Sequence, residues 1–324
     1  MTIPMVPGPV IPDFGNGRLV QIRDMSGAGR REFGADGDLA LADFQPTDVA
    51  YDDNHGSLWV ADGNDDEGSY GLLRIDDLSD EPGVEGFLES ISLDVLAVDS
   101  ERRRVYFWGF WDVVGLHYLD MESGETSGPV VDEDGLLTEL GFGETEVNIT
   151  GLDVDDDGYI IAAVNVDELD GFDNDAFWVV RIDPDADEDV VADSLAPSEL
   201  GWESFVPLSM PEVVRDVLVR GDHVYATMAV DIDVDYNKIV RFDSDFSVDS
   251  VEGVTLEGDM FLGPQRFLAQ RGDGERIVVT DWDGEAANAR LLAFEGTGEV
   301  EWTVYADGND PFGFFELFAE AAVG

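Results

Sequence analysis

Apolar and polar residues alternate in short runs along most of the chain, most clearly over residues 46–76, PTDVAYDDNHGSLWVADGNDDEGSYGLLRID. Residues 48–52 alternate into a turn at Asp53-Asn54-His55-Gly56. Residues 58–61 form a β-rich run, and a third run over 72–75 stops at Asp76. Period-two alternation between turn clusters predicts antiparallel strands joined by hairpins. The third run recurs at residues 17–23 (GRLVQIR), 115–120 (GLHYLD), 177–183 (FWVVRID), 238–243 (KIVRFD) and 290–295 (RLLAFE). Its stop residues, Arg23, Asp76, Asp120, Asp183, Asp243 and Glu295, stand 53, 44, 63, 60 and 52 positions apart.

A period of about 40–60 residues built from four short strands is the pattern of propeller blades. One blade cannot bury both faces of its sheet, so blades must stack in a ring. The expected fold is all-β, a single β-propeller of six four-stranded blades, the alternative being five plus a fragment. Full blades fall near 46–90, 92–132, 148–196, 212–257 and 264–306, and residues 18–34 supply two outer strands of an incomplete one. A proline-rich arm (1–17) precedes the propeller (18–306), and an aromatic tail (307–324) follows it, with the option of closing the ring and removing open sheet edges. Insertions over 136–147, 165–175 and 195–210 would decorate a rim, where binding usually sits.

With Pro46, Val49, Asp52, Trp59-Val60-Ala61-Asp62 and Arg74 through Asp76 in place, the chain resembles the repeat of NHL-type β-propellers. The other blades match in outline: 96–99 with 105–107, 152–155 with 159–162, 217–219 with 224–226, and 267–270 with 277–281. The resemblance covers roughly residues 18–306 and speaks for fold, because propellers host hydrolases, lyases and pure binding modules.

Composition adds a constraint of setting. The chain has 324 residues, 44% of them hydrophobic, with 7 Trp and 19 Phe, enough for a sizeable core. No apolar run reaches membrane-span length, and the N-terminus lacks the basic start and apolar core of a signal peptide. Cysteine is absent, which removes disulfides and thiolate chemistry. Against 73 Asp and Glu stand 17 basic residues, a net charge of −56, and Lys238 is the one lysine. Surface scaling gives roughly 13,000 Å², or about one uncompensated anion per 230 Å². In dilute buffer such a field strains the compact state. In molar salt, where the Debye length is about 3 Å, neighbouring carboxylates barely interact. The composition therefore points to a high-salt setting. The same field repels phosphate backbones and argues against nucleic-acid partners.

Candidate chemistry is sparse. Asp153, Asp155 and Asp157, followed by Gly158, match the start of a calcium loop, but Val164 stands where the closing bidentate carboxylate belongs. A hairpin turn explains the same residues. Asp231, Asp233 and Asp235 place alternate carboxylates together, either as a cation site or as a solvated acidic rim, and residues 62–67 admit the same two readings. Aligning the innermost strands puts Asp48, Val95, Gly151, Asp216 and Arg266 at equivalent positions around the channel mouth, with Asp94, Asn148 and Gln265 nearby. Propeller hydrolases of the lactonase and gluconolactonase kind hold a catalytic calcium there. The resemblance offers Asp48, Asn148 and Asp216 as its ligands, but the family's early Glu motif and a second Asn are missing. Arg266 would set a positive charge beside such a metal, so a plug made of Asp48, Arg266 and Asp216 is the competing expectation. The three histidines, His55, His117 and His223, lack zinc-ligand spacing.

Two segments suggest partners. Pro4, Val6, Pro9, Ile11 and Phe14 in the arm, and Phe314, Phe315 and Phe318 in the tail, would be wasted on solvent and are candidate docking residues. Trp108 and Trp111, in a run of six residues with five aromatics, are either seam core or an exposed platform for a glycan or a protein. The expectation is a non-enzymatic scaffold for protein assembly or surface adhesion that requires no cofactor, although calcium or another cation would be compatible. Its setting is a virion or the cytoplasm of a halophilic host, a virion or tail component of a halophile's virus being one form. The alternative is a calcium-dependent propeller hydrolase.

Overall fold

A computed structural model describes residues 9–13, 17–22, 31–34, 44–64, 66, 68–76, 83–109, 115–141, 146–167, 176–186, 190–197, 199–200, 214–229, 237–247, 252–254, 264–268, 276–281, 290–295 and 303–305. Among these residues the chain forms six antiparallel sheets in sequence order. The first holds β1 (Val10–Asp13), β2 (Arg18–Gln21) and β3 (Arg31–Gly34). The second holds β4 (Pro46–Asp52), β5 (Ser57–Asp62), β6 (Tyr70–Ile75) and β7 (Val84–Glu89). The third holds β8 (Leu93–Asp99), β9 (Arg104–Gly109) and β10 (Leu116–Asp120), its outer edge continued by bridges Leu116–Val131 and Leu119–Thr126.

Helix α1 (Glu133–Leu140) follows, and then the fourth sheet, β11 (Glu146–Val154), β12 (Ile160–Asp167), β13 (Ala176–Ile182) and β14 (Val191–Leu195). The fifth is β15 (Val214–Arg220), β16 (His223–Met228), β17 (Lys238–Asp243) and β18 (Glu252–Val254). The sixth is β19 (Pro264–Phe267), β20 (Arg276–Asp281), β21 (Arg290–Glu295) and β22 (Thr303–Tyr305). Among the described residues no helix is long and apolar enough to cross a membrane.

The sheets are held by their seams. A sheet whose two faces are both apolar must be covered twice, and each apolar cluster here joins one sheet to the next. Val10, Leu19 and Phe33 pack on Val49, Val60 and Ile75. Trp59 and Leu72 meet Leu96 and Phe107. Tyr106 and Trp108 meet Ile149 and Ala162. Val179 meets Val217 and Val224, and Tyr225 meets Phe267 and Phe294. Ile11, Val20 and Ile22 then pack against Leu268, Val278 and Leu291, joining the last sheet to the first. This closed ring of stacked sheets is a β-propeller. β4, β8, β11, β15 and β19 lie on its axis. Second strands such as β5, fully buried along SLWVAD, carry side chains into both adjacent seams.

The N-terminal arm is shorter than its sequence suggests. Val10–Asp13 forms a strand paired with β2, with partners Val10–Gln21 through Asp13–Arg18. Pro9 is buried, and Ile11 is 1% exposed. Neither is a free docking residue, because alternate residues of β1 are claimed by the two seams beside it. Proline is tolerated here because the pair Pro12–Leu19 is a non-hydrogen-bonded one: the bond from Ile22 N to Pro9 O, 3.2 Å, fixes the alternation. Trp108, at 3% exposure, belongs to the seam and is no platform.

Helix α1 falls where an irregular rim insertion was expected. Asp132 caps it by accepting from Gly135 N, and Gly141 ends it at φ +84°. Leu136 and Leu137 seat it on the seam between the third and fourth sheets. Pro4, Val6, Phe14, Trp111, Phe314, Phe315 and Phe318 lie outside the described residues.

The seam assignment of Ile11 is directly testable. Ile11→Ala should destabilise the isolated protein by about 2–5 kcal/mol, read as a lowered denaturation midpoint in molar salt. An unchanged midpoint would return Ile11 to the docking segment.

Candidate functional site

The axis is built from a repeated irregularity. The ladders between first and second strands shift register between Pro46 and Asp48, Leu93 and Val95, Ile149 and Gly151, Val214 and Asp216, and Pro264 and Phe267. A bulge leaves one residue unpaired and re-aims its neighbours. Here it turns Asp48 and Asp216 toward the axis, at the equivalence expected from sequence. Arg266 lies within the last irregularity.

Each axial carboxylate then reaches the next inner strand. Asp48 Oδ2 accepts from Leu96 N at 3.0 Å, while its Oδ1 accepts from Val49 N at 2.8 Å. Asp216 Oδ2 accepts from Phe267 N at 2.7 Å, and its Oδ1 from Val217 N at 2.9 Å. Asp153 repeats the device two residues further along β11, with Oδ2 accepting from Val219 N at 2.7 Å and Oδ1 from Val154 N at 2.9 Å. Threonines at the bulges add a second link. Thr47 Oγ1 donates to Leu93 O at 2.8 Å and Thr150 Oγ1 to Val214 O at 2.6 Å. Buried Asn165 completes the latter by donating to Val214 O and accepting from Val214 N.

The three aspartates border a cavity of about 110 Å³ whose lining also includes Tyr51, Asp53 and Arg220. Burial pushes the Asp216 carboxyl well above the usual carboxylate range, opposed by the Arg266 charge and reinforced by neighbouring Asp48. Asp48 is raised for the same first reason, again against Arg266. Asp153 is raised by burial and opposed by Arg220. Although Asp48 and Asp153 are only half-buried at the surface, what they expose lines a narrow cavity, which solvates a carboxylate far less than bulk water does. Arg266 donates its Nη1 to the Thr150 carbonyl, so it faces the carboxylates as a nearby charge. Gly151 is required by this approach. A Cβ there would meet the Asp216 carboxylate and stand 2.6 Å from Asp216 Cα.

The structure redistributes the other candidates. Asn148 pairs across the ladder with Asn165, three residues before Gly151 and outside the cavity lining. Asp153, Asp155 and Asp157 do not converge as a calcium loop. Asp153 faces the axis, whereas Asp155 Oδ2 takes Arg181 Nε and Nη2 at 3.1 and 2.9 Å, with that guanidinium 3.7 Å from the Tyr159 ring centre. Asp155 Oδ1 accepts from Asp157 N and Tyr159 N, as in a plain turn. Arg102 reaches from the third sheet to the Asp157 carbonyl at 3.1 Å and occupies the space a side chain at Gly158 would need. Among the described residues no group of three acidic or histidine side chains could hold a metal ion. Asp231, Asp233 and Asp235 lie outside the described residues.

Sequence reasoning missed the axial role of Asp153, because the calcium-loop spacing of its neighbours absorbed it. It also missed Asn165 and Asp62. A lone asparagine inside the apolar strand IIAAVNVD was the available signal for the former. Asp62, 4% exposed at the end of β5, accepts from Gln45 N and Asn64 N, both at 3.0 Å. Its carboxyl is pushed up to about 6 by burial, against those two hydrogen bonds.

No family model matches the sequence, and no curated protein matches it. Solved structures do share its fold. A chain of a nidogen/laminin complex superposes with TM-score 0.52 at 11% identity, over 90% of this chain and 88% of that one. A protein of unknown function from Bacteroides caccae gives 0.52 at 12%, over 94% of each chain. An auxiliary nutrient binding protein from Bacteroides ovatus gives 0.50 at 10%, over 86% and 70%. At such identities the likeness extends to the fold alone.

Two outcomes follow from the geometry. Gly151→Ala should cost about 1–3 kcal/mol by overpacking against main chain, read by chemical denaturation; a neutral result would remove the close approach of Asp216. Asp62→Asn keeps the Oδ1 acceptor and removes the charge. Because the folded-state pKa of about 6 lies above the unfolded value of about 3.9, Asp62 favours folding fully below the unfolded value. That contribution is lost as pH rises through the folded one. The variant should match wild type near pH 4 and exceed it by about 2–3 kcal/mol at pH 8, in melts at constant molar salt. A difference independent of pH would contradict the assignment.

Proposed function

We propose that the protein is a non-enzymatic β-propeller scaffold for protein assembly or surface adhesion in a high-salt setting. The supporting observation is the use of the axial carboxylates. In the three axial aspartates both oxygens already serve main-chain amides, one on the adjacent inner strand. Two arginines stand beside them. A set of groups satisfied by its own fold, with positive charge at hand, is suited to rigidity rather than to holding a catalytic calcium. The partner-binding function is then assigned to the rim from which the long interstrand segments leave, above all residues 196–213 between β14 and β15. The likeness to a chain from a nidogen/laminin complex is compatible with a role in protein complexes.

The net charge of −56 supports the setting. Surface carboxylates repel one another in dilute buffer and are screened in brine.

Replacing residues 201–210 by a short Gly/Ser linker tests the reading. Native complexes recovered in molar salt should lose the variant, while its unfolding midpoint stays put. Recovery of the unaltered protein as a free monomer, or hydrolysis of a lactone that needs calcium and stops with chelator, would overturn the scaffold. Separately, the thermal midpoint should rise steeply between about 0.2 and about 3 M KCl; a flat response would remove the high-salt argument.

A further inference from the structure

One side chain on the axial cavity stands apart in so acidic a chain. Arg220 lines the cavity together with Asp48, Asp153 and Asp216. Its Nη1 donates to the carbonyl of the preceding residue, Val219, at 3.0 Å. Among the described residues Arg220 makes no ion pair, although the chain holds 73 acidic residues. Asp153 is near enough for the two charges to act on each other. Main-chain bonds keep them from closing. Val219 N donates to Asp153 Oδ2 at 2.7 Å, while Val219 O takes the guanidinium. One residue's N–H and C=O thus fix an anion and a cation on the same cavity with a gap between them.

The surroundings limit what can fill that gap. The residues equivalent to Asp153 on the other inner strands are Ala50, Ala97, Leu218 and Leu268, and all four line the cavity. Opposite charges held apart in an apolar ring are poorly solvated, and a polar occupant is favoured there. The volume of about 110 Å³ holds roughly four waters, or about five heavy atoms of a ligand. A metal cation is disfavoured by the adjacent guanidinium, and a plain anion by three carboxylates. A molecule carrying both charges suits both. Each carboxylate oxygen that accepts one amide keeps a second lone pair, so Asp153 can still accept from an ammonium group.

We propose that the axial cavity binds a small zwitterion, an α-amino acid of the size of glycine or alanine, with its carboxylate on the Arg220 guanidinium and its ammonium on Asp153, toward Asp48 and Asp216. The exposed turn residue Asp53, which also lines the cavity, marks the side from which it enters. The site goes beyond the scaffold reading and does not rest on it, because partners at the rim neither supply nor need an axial ligand.

Calorimetric titration of the full chain with glycine and with L-alanine in molar KCl tests this. A ligand so small binds no more tightly than about micromolar, so saturation between about 10 µM and about 10 mM is expected. Methylammonium and acetate, which carry one charge each, should bind at least about tenfold more weakly. Arg220→Gln should weaken glycine binding by about tenfold or more with its unfolding midpoint little changed. If that variant unfolds more readily, the comparison of glycine with methylammonium and acetate on the unaltered protein decides. Glycine that fails to saturate, or a folded Arg220→Gln variant that binds it as tightly as before, would overturn the proposal. So would methylammonium binding as tightly as glycine, which would make the cavity a plain cation site.

Discussion

Taking a carboxylate out of water costs several kcal/mol unless hydrogen bonds replace the lost solvent, and the axis of this ring holds three. Each recovers its losses in the same way, accepting from the amide of the following residue and from an amide one sheet further round. An aspartate is short enough to do this from a bulged strand without leaving the axis. The ring therefore depends on the register of its inner strands. If a bulge moved by one residue, the carboxylate would lose its amide and face the cavity uncompensated. Gly151 belongs to the same constraint, clearing the volume that Asp216 enters. Arg266 and Arg220 temper the charge from nearby.

Away from the axis the ring is held by apolar seams, where burial contributes about 25 cal/mol per Å². Arginines are added where seams meet the surface. Arg102 and Arg104 join the third sheet to Asp157 and Asp185 of the fourth, and Arg181 anchors Asp155. In a chain so poor in basic residues, this use of arginine is economical. Its planar guanidinium holds five donors in a fixed fork, a geometry the lysine ammonium lacks. Exposed pairs of this kind contribute little individually. Their value lies in orienting sheets that the apolar effect brings together without direction.

The repeat, the strand order and the equivalence of positions along the inner strands were legible in the sequence, because each depends on local alternation and on turn residues at fixed offsets. Asp48, Asp216 and Arg266 could be aligned from strand starts alone. What the sequence concealed depends on contacts between distant sheets. Asp153 looked like one of three calcium ligands, since spacing within a segment says nothing about an arginine 26 residues later that binds its neighbour Asp155. The strand at Val10–Asp13 was hidden by two prolines, and only the ladder register shows that Pro12 stands where no amide is needed. Trp108 read as either platform or core, and its seam decides for core.

The central claim is that axial aspartates, through main-chain amides, fix β4 to β8, β11 to β15 and β15 to β19. Native-state hydrogen exchange measures this at single residues. In molar salt the amides of Leu96, Val219 and Phe267 should exchange only through global unfolding, and replacing Asp48 by alanine should release Leu96 first while Val219 and Phe267 stay protected. Exchange of all three at the rates of exposed amides in the unaltered protein would contradict the account.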